Sequence, residues 1–282
     1  MPITTTEELL KDARKNRYAV GAFNAENMEI VQAIISAADE MHAPVIVQTT
    51  PGTIKYGSLK IFSSMIAAAA GATKVPVAIH LDHGDSFVTA VKALHDGYTS
   101  IMIDGSKLPL DENIAITRSV VDVCLPNGVP VEGELGRVGG KEDDMEASDC
   151  GYTDPEEALQ FVAKTMVSSL AVGVGTAHGL YKLTPVLNKE LINVLREKLE
   201  VPLVLHGGTG LPEDDVKDCI KRGISKVNFA TELRICYTQA VKSYLADNPK
   251  AIDPKKYGEY ARNAVKELVK KRILVCGCDN KA

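Results

Sequence analysis

Residues 76–105 read PVAIHLDHGDSFVTAVKALHDGYTSIMIDG. The apolar run Pro76–Asp82 is strand-length and ends on polar residues. Ser86–His95 then spaces its apolar residues at helical intervals, and Ser100–Gly105 is a second apolar run closing on Asp104-Gly105. Two strands joined by a helix must lie parallel, so the stretch predicts one β–α–β unit. The same pattern recurs in both directions. Further strand-like runs are Tyr18–Asn24, Pro44–Thr50, Val129–Gly136, Ser169–Gly175, Pro202–Gly208 and Lys226–Thr231. Helical periodicity fills Met28–Met41, Asn113–Cys124 and Asn188–Leu199. Eight strand–helix units in 282 residues fit an α/β protein with a single (β/α)8 barrel, the TIM-barrel arrangement, over residues 1–282. An extra, basic C-terminal helix is expected from about Asp253, either closing the barrel or serving association. A doubly wound open sheet fits less well, because Phe23-Asn24-Ala25 after the first strand is not a GxGxxG turn.

Composition narrows the function classes. Apolar residues make up 45% of the chain, enough for a large core, and the net charge of −5 argues against a nucleic-acid partner. The six cysteines show no finger-like spacing, and Cys276-Gly277-Cys278 reads as a bland C-terminal segment rather than a redox pair. With no secretory h-region and no run of about 18 apolar residues, no membrane association is expected and a cytoplasmic location is. Thr5-Thr6-Glu7-Glu8 resembles a capping box. The acidic stretch Gly139–Asp154 is expected to be a long structureless loop acting as a lid.

Barrel enzymes build their sites at the C-terminal ends of the strands. Here those ends carry Asn24, Thr50, Asp82, His83, Asp104, Glu134, His178, His206, Asn228 and Thr231, while the opposite ends carry little besides Pro and Val. Three histidines from three strand ends, His83, His178 and His206, can converge on one Zn2+ and leave a fourth position open, the pattern of a catalytic metal. Strand alternation turns His83 away from Asp82 and His80 unless the strand ends near Asp82, and His80 reads as a core or supporting histidine. Asp82 can orient an imidazole or act as a general acid/base. Asp104 and Glu134 fit outer-shell groups or a second metal position. Gly207-Gly208-Thr209-Gly210 and Asn228–Thr231 follow strands seven and eight, where barrels frequently bind phosphate. A Schiff-base lysine is disfavoured: Lys226 begins the eighth strand at the wrong end, and Lys107 and Lys182 fall in loops.

The motifs LDHG, EGELGRVGGKEDD, GTAHG, LHGGTG and KVNFATEL, in this order, resemble the zinc-dependent class II ketose-bisphosphate aldolases. The resemblance runs nearly end to end. VNFATEL and the terminal CGC look most like the tagatose-1,6-bisphosphate branch, whereas LDHG looks more like the fructose-1,6-bisphosphate enzymes. It implies Zn2+ on His83, His178 and His206, with Asp104 and Glu134 at positions that hold metal in an alternative or second site. It makes Asp82 the acid/base at the aldehyde-derived oxygen, and Glu142 the residue exchanging the proton on the dihydroxyacetone-phosphate carbon. Gly179, Gly207, Gly208, Thr209, Asn228 and Thr231 match the triose-phosphate-binding segment, with a monovalent cation (Na+ or K+) nearby in some members. Asn24, Thr50 and Ala230 complete the expected substrate-binding set. Two departures are Thr209, where many relatives carry Ser, and Ala230, where some fructose-specific members carry an acidic residue or Asn. Expected partners are a phosphorylated ketose and triose phosphates, with a homodimer or homotetramer as the assembly. A role as, or beside, a non-catalytic aldolase-like subunit is the weaker alternative.

Overall fold

The computed structural model describes residues 2–142, 145–147, 151–179, 181 and 185–282; the side chains of 140–142 and 145–147 lie outside that description. Eight strands form a closed parallel ring: β1 (Val20–Asn24), β2 (Val45–Thr49), β3 (Val77–Gly84), β4 (Ser100–Ile103), β5 (Val131–Leu135), β6 (Ser169–Val172), β7 (Leu203–Leu205) and β8 (Ile224–Phe229). Each pairs with its neighbour in sequence, and β8 returns to β1 through Lys226↔Val20 to Phe229↔Phe23. The strand positions are those the sequence predicts. Every residue of the eight strands is buried, because one face packs the barrel interior and the other the helices. That is why they read as nearly continuous apolar runs.

Polar residues at the loop ends start the helices. Asn27, Ser86 and Asn188 accept from the backbone N–H groups of Ile30, Thr89 and Leu191, opening helices Met28–Glu40, Phe87–His95 and Lys189–Lys198. Thr5 sits at the N-cap of helix Thr6–Asn16 but makes no side-chain cap bond, so the capping-box expectation fails there. That helix lies against β8, and a two-residue strand, Ile3–Thr4, adds to β3 outside the ring.

Helix Pro254–Cys276 packs on Met28–Glu40 and Thr231–Asp247, as a barrel-closing helix does. The chain end then folds back, with Ala19 N–H donating to Cys276 O at 3.0 Å. Cys276 and Cys278 are both buried free thiols, and burial pushes Cys278 up to about 12, as suits a packing role. No described helix is long and apolar enough to cross a membrane.

The acidic stretch is not a structureless loop. Gly139–Glu142 and Met145–Ala147 pair antiparallel, and Gly139–Gly140 also pairs parallel with Ala177–His178. A small three-stranded sheet thus stands beside the barrel mouth and carries His178. Cys150 and Lys182 lie outside the described residues.

Candidate active site

The strand carrying His83 does not end at Asp82. It continues to Gly84, and its register with β4 slips between Leu81 and Gly84. The slip is a bulge in which His83 takes a left-handed φ of 49°. Gly84 makes this possible: a Cβ there would lie 2.3 Å from the carbonyl oxygen of Met102. The bulge overrides simple alternation and leaves Asp82 and His83 both at the site.

His83, His178 and His206 come together, with ring centroids 4.7–5.7 Å apart. Their ligand nitrogens lie within 4.8 Å of one another. His83 Nε2 and His206 Nδ1 face each other at 3.1 Å. Two imidazole ligands at tetrahedral angles and ~2.0–2.1 Å from a metal would hold their nitrogens roughly 3.3 Å apart, so the pair fits that role. The outer nitrogens are spoken for. His83 Nδ1 meets Asp104 Oδ2 at 2.9 Å, and His206 Nε2 meets Glu132 Oε1 at 3.0 Å. A carboxylate that takes the outer N–H fixes the tautomer and leaves the inner lone pair for a cation.

The two acidic candidates divide. Asp104 gives Oδ2 to His83, and its Oδ1 accepts from Ser106 N–H at 3.0 Å and Ser106 O–H at 2.7 Å. Burial opposes its charge, but the bonds from His83 and Ser106 outweigh that and hold it well below the usual carboxylate range. Glu134 has no such holders: its Oε2 lies 3.6 Å from His206 Nδ1 and makes no hydrogen bond among the described residues. Burial, with the charge of Asp104 nearby, pushes this carboxyl up to about 7. His83, Asp104 and Glu134 form a second group whose ligand atoms converge.

Asp82 is fully buried among amides. It accepts from Gln48 Nε2 at 2.8 Å and Asn228 Nδ2 at 3.1 Å, and Gln48 Nε2 also donates to Asn24 Oδ1 at 2.8 Å. Thr50 stands further out. It caps helix Pro51–Gly57 through Thr53 N–H, and Thr53 in turn donates to Glu26, which holds Arg234 at 2.6 Å. An open cavity of about 480 Å3 lined by Glu26, Thr53, Tyr56, Arg234 and Tyr237 adjoins these residues.

The glycine turn after β7 is drawn against two neighbours. A Cβ on Gly207 would lie 2.4 Å from Ala177 O, and one on Gly208 2.7 Å from Val227 Cγ1. Tyr181 O–H donates to Gly207 O at 2.8 Å and accepts from Ala177 N–H at 2.9 Å, tying the segment around His178 and Gly179 to this turn. Thr209 Oγ1 accepts from Ala230 N–H at 3.4 Å, next to Thr231, which opens a 17-residue helix. Gly207, Gly208, Thr209, Ala230 and Thr231 therefore lie along one corner, tied together by Gly208 N–H to Asn228 O at 3.0 Å and by Ala230 N–H to Thr209 Oγ1, while Gly179 follows His178 with a left-handed φ of 87°. Glu142 ends the strand paired with the His178 strand; its side chain lies outside the described residues.

Three residues escape the sequence reading: Gln48, Glu132 and Tyr181. Gln48 is the polar interruption of an apolar strand, and Glu132 precedes Glu134 by two on the same face, so both carried a signal. Lys226 does not point to the wrong end. It is fully buried inside the barrel, 2.9 Å from Glu132 and 3.4 Å from His80 Nε2. So placed, it offers no accessible amine for Schiff-base chemistry.

Residues 4–281 match the family model described as fructose-bisphosphate aldolase class-II. Among solved structures, the chain is similar to the YdjI aldolase from Escherichia coli K12, at 37% identity, TM-score 0.89 and 99% coverage of both chains. It shares its fold with the fructose-bisphosphate aldolase of Campylobacter jejuni, at 22% identity, TM-score 0.83, and coverage of 99% of this chain and 97% of that one.

Proposed function

Since the chain belongs to the class-II fructose-bisphosphate aldolase family, we propose that it cleaves a ketose 1,6-bisphosphate reversibly to dihydroxyacetone phosphate and glyceraldehyde 3-phosphate. The observation that carries this is the facing His83–His206 pair, each ring backed by a carboxylate, set in the same barrel mouth as the amide-held Asp82. His83, His178 and His206 would hold Zn2+, which when bound supplies Lewis acidity to the C2 carbonyl.

The chain's own residues do the rest. Asp82 takes the C4 hydroxyl proton as the C3–C4 bond breaks, and the bond's electron pair stays with C3. Gln48 and Asn228 point donors at Asp82, which keeps its carboxylate aimed. The C1 phosphate sits in the corner of Gly179, Gly207, Gly208, Thr209 and Thr231, with Asn228 at its edge. Asn24, Thr50 and Ala230 border the sugar. A Na+ or K+ ion near the phosphate corner would offset its charge. Glu142, on the strand beside His178, returns a proton to C3. Tagatose 1,6-bisphosphate is the favoured substrate on the VNFATEL and CGC segments, and the working unit is a homodimer or homotetramer.

The test is a side-by-side coupled assay on tagatose and fructose 1,6-bisphosphates, with and without a chelator. Higher kcat/KM on tagatose 1,6-bisphosphate, loss with EDTA and recovery with Zn2+ support the reading. Equal, EDTA-resistant turnover of both sugars overturns it.

A further inference from the structure

A line of buried polar groups descends from His206 through the barrel axis. Glu132 bridges with both oxygens: Oε1 to His206 Nε2 at 3.0 Å and Oε2 to Lys226 Nζ at 2.9 Å. Lys226 is next met by His80 Nε2 at 3.4 Å, His80 Nδ1 by Ser100 Oγ at 2.8 Å, and Ser100 by Thr6 Oγ1 at 2.7 Å. These groups come from β5, the end of β7, β8, β3, β4 and helix Thr6–Asn16, and each is at most 3% exposed.

Stability alone does not account for this arrangement. A buried ion pair loses hydration on both sides, and well-packed apolar residues in its place are often neutral or stabilising. Ile46, Ala78 and Val204, each two residues before a buried polar group on its own strand and so on the same face, are apolar, so an apolar alternative was available to the fold. What the pair adds is direction. A Glu bound only to His206 could rotate; with Lys226 fixing Oε2, Oε1 has one place to be. His80 braces Lys226 from the opposite side: its Nε2 accepts from the ammonium and its Nδ1–H then donates to Ser100.

We propose that Lys226 is a positioning residue for the metal centre, acting through Glu132 to hold His206 with Nδ1 toward the ion; this rests on the assignment of His83, His178 and His206 as metal ligands. Lys226 touches neither substrate nor metal. Its removal therefore weakens metal retention, while turnover at saturating metal survives in large part.

The experiment measures the Zn2+ dissociation constant of the full-length protein by competition with a chromophoric chelator. It compares wild type, Lys226→Met, Glu132→Gln and His206→Ala, with circular dichroism and thermal midpoints of the metal-free forms alongside. Lys226→Met should raise the dissociation constant ~10–100-fold, the range for lost outer-shell partners, and excess Zn2+ should restore most of kcat. Glu132→Gln keeps the volume and one acceptor, so it should shift the constant in the same direction by less. It carries the test by itself if Lys226→Met does not fold. Zn2+ affinity within threefold of wild type in the folded variants, whatever their thermal midpoints, overturns the proposal. The His206→Ala arm separates the two layers: unchanged Zn2+ affinity there would remove the ligand assignment itself, whereas loss there with unchanged Lys226→Met and Glu132→Gln removes only the positioning role.

Discussion

Asp82→Asn should separate chemistry from stability at this site. The amide cannot take a proton, so loss of the general base should lower kcat by ~10²–10⁴, roughly 3–5 kcal/mol of barrier, with KM nearly unchanged. The structural cost is small for a specific reason. Asp82 receives N–H groups from Gln48 and Asn228, and a new NH2 would at first face one of them. Yet Gln48 Oε1 and Asn24 Nδ2 make no hydrogen bond among the described residues. If both of these amides turn over, Gln48 Oε1 accepts from the new NH2 and from Asn24, while Asn228 still donates to the remaining oxygen. The network closes again, and the loss should stay below about 1 kcal/mol, the scale of one neutral hydrogen bond. Asp82→Leu has no such escape. It strands two buried amide donors at ~1–3 kcal/mol each. Urea unfolding of the metal-free proteins, set beside a coupled assay for dihydroxyacetone phosphate release, reads both quantities. Should Asp82→Asn keep kcat within tenfold of wild type, Asp82 is not the base. Should it unfold as readily as Asp82→Leu, the amide-turnover argument is wrong.

Gly84→Ala places a Cβ 2.3 Å from Met102 O; it should cost roughly 1–3 kcal/mol in chemical denaturation, the range for overpacking, and loosen metal binding by shifting the His83 bulge. Asp104→Asn should raise the Zn2+ dissociation constant ~10–100-fold, because it removes the charged partner of His83 Nδ1, whereas Glu134→Gln, whose carboxyl holds neither ring in a hydrogen bond, should stay within a few-fold in the same chelator competition. Glu40 on helix Met28–Glu40 clasps Lys266 and Lys270 on helix Pro254–Cys276, which pulls its carboxyl down to about 2. Its folded value lies below its unfolded one, so its contribution, at most ~1 kcal/mol for so exposed a pair, is present above about pH 4.5 and fades toward pH 2. The stability gap between wild type and Glu40→Gln, read by urea titration at pH 7, 5 and 4, should therefore shrink across the two lower values.

The barrel was legible because its information is local. Each strand is a short apolar run closed by polar or glycine residues, and β–α alternation admits few arrangements besides ring closure. The same locality exposed His83, His178, His206 and Asp82, since polar residues at one end of every strand stand out from the runs they terminate. The acidic stretch failed for the complementary reason. Gly139–Glu142 and Met145–Ala147 have no apolar alternation; they pair with each other, and Gly139–Gly140 also pairs with Ala177–His178, more than 30 residues away. The His83 bulge was hidden too, because nothing in HLDHG announces a left-handed residue at a histidine; the cause is Met102 on the neighbouring strand, which crowds position 84.

Lys226 and Glu132 mark the deeper limit. Read along the chain, a lysine near the start of a strand belongs to the solvated rim, and a glutamate in VPVEGELG is one of two acids facing inward. Only ring closure brings positions 94 residues apart to 2.9 Å and makes each tolerable to the other. Burial would otherwise hold the Glu132 carboxyl protonated; the Lys226 ammonium and the bond from His206 reverse that and keep it ionised. Glu134, two residues on and equally buried, lacks a lysine and is pushed the other way, up to about 7. Two glutamates on one face of one strand thus differ because of a residue on another strand. The one beside Lys226 is fixed as the holder of His206, and the other keeps an oxygen that is open to a cation.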